Sequence, residues 1–293
     1  MEKVSAIIIT HNRVDLLKKA LRGVQNQTYP DIECIIIDDA STDQTELFCR
    51  SLKNITYIRI KPEESKGANY ARNIGLREAH GKFVAFCDDD DEWLPEKTSK
   101  QVQLLEQSED VGLVYCGRIL CYFTPTSNHE ELERLSYLNK GDLNRRILYI
   151  IPCVTSTILC RKDLLTQIGG FDENLKYWQE YELSIRLCQL TNIDFVNEHL
   201  VKYRIDVLTT NRMSNKYKQW LDTPRYIYLK HKALYAKLSV FERWMYRRMY
   251  YNDAYVRSIL ASDSFCVRRN RIMKDLYAVL TLPFRAFKRL TLH

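Results

Sequence analysis

The first hundred residues alternate between two hydrophobic rhythms. The runs KVSAIII (3–9), IECIIID (32–38), ITYIRI (55–60) and KFVAFC (82–87) have the length and β-branched content of strands. Between them the period lengthens. Leu16, Leu17, Ala20, Leu21 and Val24 recur at helical spacing. A short helix to about Leu52 follows the cap-like cluster Ser41, Asp43 and Thr45, and another helix runs from about Gly67 to Ala79. Strands alternating with helices predict parallel pairing with helices on the faces, and ligands in such sheets sit beyond the carboxyl ends of the strands. Pro95, in the first turn, opens a helix reaching about Gln107.

The middle of the chain is less regular. VGLVYCG begins a strand region, Asn139–Tyr149 reads as a helix, and VTSTILC (154–160) reads as a strand leading into the helix of RKDLLTQIGG. The pair Gly169-Gly170 ends that helix. QEYELSIRLCQL (179–190) is helical, with Leu183, Leu187 and Leu190 on one stripe and Glu182 and Arg186 as a solvent-side pair. IDFVNEHLVKYRI reads as two short strands or one extended segment, and beyond Thr209 the pattern is helical to the end. These patterns divide the chain into 1–98, 99–210 and 211–293.

Composition narrows the class. At 45% hydrophobic and 28% charged residues the chain is of ordinary globular type. Its longest apolar runs fall far short of the roughly 20 residues of a membrane span, and the stretch after Lys3 is too short for a secretory core of about 7–15 residues. Cysteines at 34, 49, 87, 116, 121, 153, 160, 188 and 266 are odd in number and never spaced as CxxC. They are expected to be reduced, mostly buried and cytoplasmic. The net charge of +7 is uneven: from Arg243 onward eleven Lys/Arg face three acids, so the rest of the chain is close to neutral.

The candidate chemistry gathers where the strands end. Thr10-His11-Asn12, Asp38-Asp39 and Asp88–Asp91 close three of them, so two acidic clusters are expected to face one crevice. In FVAFCDDDDEW four adjacent carboxylates repel one another. Either the run is a solvated acidic turn or something positive sits there. In an extended segment Asp88 and Asp90 point to one side and Asp89 and Asp91 to the other. Two convergent carboxylates suit Mg²⁺ or Mn²⁺, which keep positions for substrate phosphate oxygens. At Asp38-Asp39 the alternatives are a strand-end turn and an Asp39 that accepts hydrogen bonds from a ribose hydroxyl or a pyrimidine N–H. The helix after Lys66-Gly67 offers backbone N–H groups to an anion. Arg72 either reaches a diphosphate bidentately or lies exposed. Glu180 sits at a helix start above the buried stripe, as a cap or a working base.

Taken in order, VSAIIITHNR, VQNQTYPDIECIIIDDASTDQT, KGANYARNIGLREAHGKFVAFCDDDDEWLPEK and GGFDE…QEYELSIRL resemble the family 2 glycosyltransferases over about residues 3–206. The resemblance implies a GT-A fold, an α/β architecture whose Rossmann-like nucleotide-binding half (1–98) and acceptor-binding half (99–210) share a mixed sheet. Residues 211–293 would form a basic helical extension. It implies inverting sugar transfer from a nucleotide-diphospho-sugar, with Mn²⁺ or Mg²⁺ as cofactor. Carried onto this sequence, Asp39 matches the acid that binds the nucleobase and Arg72 an arginine near the nucleotide or diphosphate. Asp88 and Asp90 match the DxD signature, with Asp90 a direct metal ligand and Asp88 on the ribose or the metal. His11 stands where the family often has a base-stacking Tyr. Glu180 matches the general base, in Gln-Glu where Asp is commoner, so its carboxylate reaches one methylene further.

Two other classes stay open at this stage. A nucleotidyltransferase uses a similar fold, although THNRVDLL stands where its Gly-rich basic loop would follow the first strand. A catalytically decayed membrane-surface protein is the other. The tail, with FERWMYRRMYY and LPFRAFKRL, reads as a packed helical appendage with a basic face, or as an interfacial helix on an anionic cytoplasmic membrane. The latter would suit a lipid-linked acceptor. No nucleic-acid recognition motif accompanies the charge.

Overall fold

The computed structural model describes residues 1–124, 127–206 and 217–284. Two compact units emerge: Met1–Leu143 with Pro152–Asp206, and Asn144–Ile151 with Val207–His293.

The first unit opens as the sequence rhythm predicts. β1 (Val4–Thr10), α1 (Val14–Gln25), β2 (Ile32–Asp39), α2 (Thr45–Arg50), β3 (Ile55–Ile60), α3 (Ala68–Glu78) and β4 (Phe83–Asp88) alternate in order. They are followed by β5 (Glu92–Trp93), α4 (Lys97–Gln107), β6 (Val111–Phe123), β7 (Asn128–Leu132), β8 (Leu159–Arg161), α5 (Lys162–Gln167), α6 (Gln179–Leu187) and β9 (Asn192–Asp206). The strands form one sheet of order β3-β2-β1-β4-β8-β6-β9-β5, with β7 beside β6. β3, β2, β1 and β4 are parallel, whereas β8 is antiparallel to both β4 and β6, so the sheet is mixed. Val4, Ala6, Ile7 and Ile8 of β1 are all fully buried, as expected of a strand covered on both faces. A Cβ on Gly75 would come within 2.5 Å of Ile7, so α3 lies unusually close over β1. Register settles the functional geometry: Thr10 pairs with Asp38 on one side, and Ile9 with Asp88 on the other. Both acidic clusters therefore leave the sheet at one edge, on either side of β1.

Several elements differ from the sequence expectation. Within 139–149 no α-helix forms, because Gly141 leaves the helical path to exchange hydrogen bonds with Ile193, and only a 3₁₀ turn at Arg146–Tyr149 follows. Within 154–160 only Leu159 and Cys160 join a strand. Thr157 bonds back to Val154 through its Oγ1, closing a 3₁₀ turn at Thr155–Thr157 in place of a ladder. Of the two alternatives for 192–206, the extended one holds: it is one long strand whose register with β6 shifts near Gly117. Glu182 and Arg186 pair as expected, at 2.6 Å, but Glu182 is fully buried and Arg186 also donates to the Ile168 carbonyl. The pair anchors α6 and does not face solvent.

The second unit contributes α7 (Tyr217–Trp220), α8 (Asp222–Lys230), α9 (Lys232–Ala236), α10 (Val240–Leu260) and α11 (Ser264–Leu280). α10 starts with a capping box between Ser239 and Glu242, and Glu242 also pairs with Arg145 at 2.6 Å. α10 and α11 form an antiparallel hairpin. Asn270 donates to the Ala254 carbonyl at 3.1 Å and to the Tyr217 hydroxyl at 3.0 Å, and Tyr251 stacks on Tyr277. Among the described residues no helix is long and apolar enough to cross a membrane.

Candidate active site

The ends of β1 and β2 are locked together by short polar side chains. Asn12, left-handed at φ 54°, accepts from the Thr42 amide at 2.6 Å and donates its own amide to Ser41 Oγ at 2.9 Å. The His11 Nδ1–H donates to the Asp39 main-chain carbonyl, which leaves Nε2 to accept from the Asn12 side chain at 3.1 Å. Two hydrogen bonds thus fix the imidazole plane while the ring itself stays exposed. The adjacent aspartates have separate surroundings. Asp38 is fully buried and accepts from the Ser41 amide at 2.9 Å and the Tyr57 hydroxyl at 2.8 Å. Burial and the bond to Asp38 push the Tyr57 hydroxyl above its ordinary pKa. Asp39 is only partly buried, and its Oδ1, shielded from water, has no hydrogen-bond partner among the described residues. A carboxylate oxygen in that state is an acceptor awaiting a donor.

The acidic run closes a turn in which the Asp91 amide donates to the Asp88 carbonyl at 3.1 Å. Burial alternates along it: Asp89 and Asp91 are buried, Asp88 and Asp90 partly exposed. Asp89 accepts from Thr10 Oγ1 at 2.8 Å and from Arg13 at 3.1 Å. Asp91 accepts from the Arg204 amide on β9 at 3.2 Å. The same Arg13 nitrogen lies 3.3 Å from Asp90, and Arg72 lies 2.6 Å from Asp88. Two arginines from distant parts of the chain thus each set one positive charge against the four adjacent carboxylates. Desolvation raises the Asp89 carboxyl to about 6 against the pull of Arg13. The Asp91 carboxyl is pushed well above the carboxylate range by its burial and by Asp90 and Asp88. Beneath the turn Ser156 Oγ accepts from the Asp88 amide at 3.0 Å, and its carbonyl accepts from Trp93 Nε1 at 2.9 Å.

Arg72 connects this turn to the start of α6. It is buried, and its terminal nitrogens donate to Asp88, to Asn69 Oδ1 at 3.1 Å and to Gln179 Oε1 at 2.8 Å. Glu180 follows Gln179 directly and is partly exposed. Burial lifts the Cys153 thiol to about 12 against the Ser184 hydrogen bond, and the charge of Glu180 adds to the shift. Two asparagines one turn apart on α3 hold the loop that leads there. Asn73 exchanges hydrogen bonds with both backbone groups of Phe171, and Asn69 donates to the carbonyls of Asp172 and Leu175. Five non-glycine residues among those described have positive φ. Three of them, Asn12, Ala40 and Trp178, turn the chain beside these clusters.

Of the residues singled out in the sequence, the structure brings Arg72, Asp88 and the start of α6 together, and separately His11 with Asp39. By sequence, Thr10, Asn12 and Gln179 enter only as neighbours of other candidates, and Arg13 has no assigned role. Among the described residues no three His, Cys, Asp or Glu side chains converge to hold a metal ion. Asp88 and Asp90 offer two partly exposed, oxygen-only carboxylates, each with an arginine on it. Such a set fits Mg²⁺ or Mn²⁺ shared with substrate phosphates and does not fit a closed protein cage. The nine cysteines are free, and all but Cys266 are buried. Burial raises Cys34 to about 12 and Cys116 to about 11, which makes them poor nucleophiles.

Comparison with known proteins gives this geometry a context. Residues 5–169 match the family described as Glycosyl transferase family 2. An uncharacterized glycosyltransferase of Rickettsia prowazekii is 30% identical over 228 residues, covering 75% of this chain and 69% of that protein. The Escherichia coli UDP-Glc:alpha-D-GlcNAc-diphosphoundecaprenol beta-1,3-glucosyltransferase WfaP is 42% identical over 106 residues, 36% of this chain and 42% of the relative. Among solved structures, the mannosyltransferase PcManGT of Pyrobaculum calidifontis, in complex with GDP-Man and Mn²⁺, superposes with a TM-score of 0.56 at 17% identity. That match covers 98% of this chain and 83% of the other, and the shared fold is GT-A.

Proposed function

Because the chain belongs to glycosyl transferase family 2, we propose that this glycosyltransferase is inverting and metal-dependent. It moves a sugar from a nucleotide-diphospho-sugar, a UDP-sugar by default, to a hydroxyl of a glycan or lipid-linked acceptor in surface polysaccharide synthesis. The observation that carries this reading is the division within the two acidic clusters. Asp38, Asp89 and Asp91 are buried, whereas Asp39, Asp88 and Asp90 are only partly so and lie at the same sheet edge. The name of the Escherichia coli relative, with its UDP-sugar donor and diphosphoundecaprenol acceptor, supports the choice of substrates.

In this reading residues 1–98 bind the donor. The unpartnered Asp39 oxygen accepts from the nucleobase and His11, its plane fixed, stacks on the ring. Arg72 holds Asp88 in place, and the first turn of α3 directs N–H groups at the diphosphate. Asp88 and Asp90 would hold the divalent cation, which when bound neutralises charge growing on the leaving diphosphate. Residues 99–210 bind the acceptor. Glu180 takes the proton of the attacking hydroxyl, which approaches the face of the sugar opposite the diphosphate. The catalytic face is cytoplasmic, at the inner side of the cell membrane, where the basic tail (211–293) meets the leaflet carrying the acceptor.

The test is a product assay with UDP-sugars and a polyprenyl-diphosphate-linked sugar, reading the new anomeric centre by NMR. Release of UDP with inversion is expected, and Glu180→Gln should lower kcat about 10³-fold with donor Kd unchanged. Retention at the anomeric carbon, or release of pyrophosphate, would overturn the reading.

A further inference from the structure

Resting on the lipid-linked acceptor proposed above, we infer that the outer face of α11, with the cleft at its start, docks on an anionic lipid bilayer. The inner face of α11 is spent on the hairpin, where Asn270, Tyr277 and the following Thr281 are buried. The opposite face carries Phe265, Ile272, Leu276 and Val279, spaced by seven, four and three residues and so aligned in one stripe. These four are 74%, 60%, 46% and 65% exposed, and on α10 Val256, Ile259 and Leu260 are exposed as well, with Ile259 sharing a cleft with the start of α11. A contiguous run of this kind, unlike single exposed aliphatics, marks an interaction surface.

The charge around the stripe says what that surface meets. Arg268 lies within it, Arg269 and Arg271 flank it, and all three are exposed. Between the end of α10 and the start of α11 lies a cleft of about 460 Å³ lined by Ile259, Ser262, Ser264, Val267, Arg268 and Arg271. Two guanidinium groups and two hydroxyls beside aliphatic walls match a phospholipid phosphate and the acyl chain below it. The sequence continues in the same vein, with Arg285, Lys288 and Arg289 among Phe284, Phe287 and Leu290. An apolar stripe rimmed by arginine is the profile of a helix that lies in the interface and does not cross it. A nucleic acid would use the charge and leave the aliphatic stripe in water.

Flotation of the full chain tests this, using vesicles of phosphatidylcholine mixed with phosphatidylglycerol and vesicles of phosphatidylcholine alone, with UDP binding measured on the same samples. Binding to the mixed vesicles is expected. It should be about tenfold weaker on neutral vesicles, for Ile272→Asp/Val279→Asp and for Arg268→Glu/Arg271→Glu, with helicity and UDP affinity kept. Absent or lipid-independent binding overturns the surface, as does full binding by the aspartate variant. A dimer in sedimentation that the aspartate variant splits also overturns it, because a second copy would then own the face. Loss of UDP binding with vesicle binding intact would strike the catalytic reading alone.

Discussion

Arg13 sets one positive charge against the acidic turn, with one nitrogen 3.1 Å from Asp89 and 3.3 Å from Asp90. Being half-exposed it can leave, so it competes with any cation that Asp90 would bind. Arg13→Ala should therefore strengthen nucleotide-free Mn²⁺ binding about tenfold, read by Mn²⁺ electron paramagnetic resonance. Unchanged affinity would show that the arginine does not compete. Asp89 makes a second prediction. Burial first, with Asp90 adding to it, holds its carboxyl at about 6 in the folded chain, against about 3.9 when unfolded. Between about pH 4 and pH 6 the folded state then keeps a proton that the unfolded state has released. Stability falls by about 3 kcal/mol as pH rises through that window and is level above it. In Asp89→Asn that slope should shrink, measured as denaturant midpoints in the presence of a chelator. An unchanged slope would contradict the assignment. By sequence, Asp88 and Asp90 separate from Asp89 and Asp91 on the premise of an extended segment; burial does alternate in that way, but along a turn closed by the Asp91 amide on the Asp88 carbonyl. Their counter-ions were not legible: Arg13 is 76 residues from Asp89 in sequence and gives no local signal, and Arg72 was read toward a diphosphate and not toward Asp88.

At the scale of elements, the approach to Glu180 depends on α3 gripping the loop before α6. Gly170 has φ 70°, and a Cβ there would stand 2.4 Å from Asn73 Oδ1. Gly170→Ala should cost about 1–3 kcal/mol of stability. It should also lower kcat about tenfold while leaving UDP affinity intact, since in the proposed reading β1, β2 and β4 carry the nucleotide side. Equal losses in kcat and UDP affinity would show that the loop serves the donor. β1, β2 and β4 were readable because parallel strands buried on both faces form continuous apolar runs, and the half-buried edge strand β3 by its β-branched content. Segments 139–149 and 154–160 were misread because single side-chain and bridge contacts, at Thr157 and Gly141, overrode local propensity. The solvent-side reading of Glu182 and Arg186 failed for a related reason: a bidentate pair satisfies both charges well enough to be buried.

At the scale of the whole molecule, chemistry and charge occupy different parts of the chain. The acidic clusters leave one edge of the sheet in the first unit, and the excess of Lys and Arg lies beyond Arg243. That separation, the family and the GT-A fold were legible in the sequence, since ordered motifs and net charge do not depend on packing. The exposed stripe on α11 was not, because only the hairpin contacts through Asn270 and Tyr277 reveal which face is spent. The central claim is that the partly exposed aspartates bind a nucleoside diphosphate together with a divalent cation. Its most direct test is calorimetric titration of UDP into the full chain, with and without Mn²⁺, for the wild type and Asp90→Ala. The account predicts binding that requires Mn²⁺ and is lost in the variant. Binding that is indifferent to both metal and Asp90, or none under any condition, would contradict it.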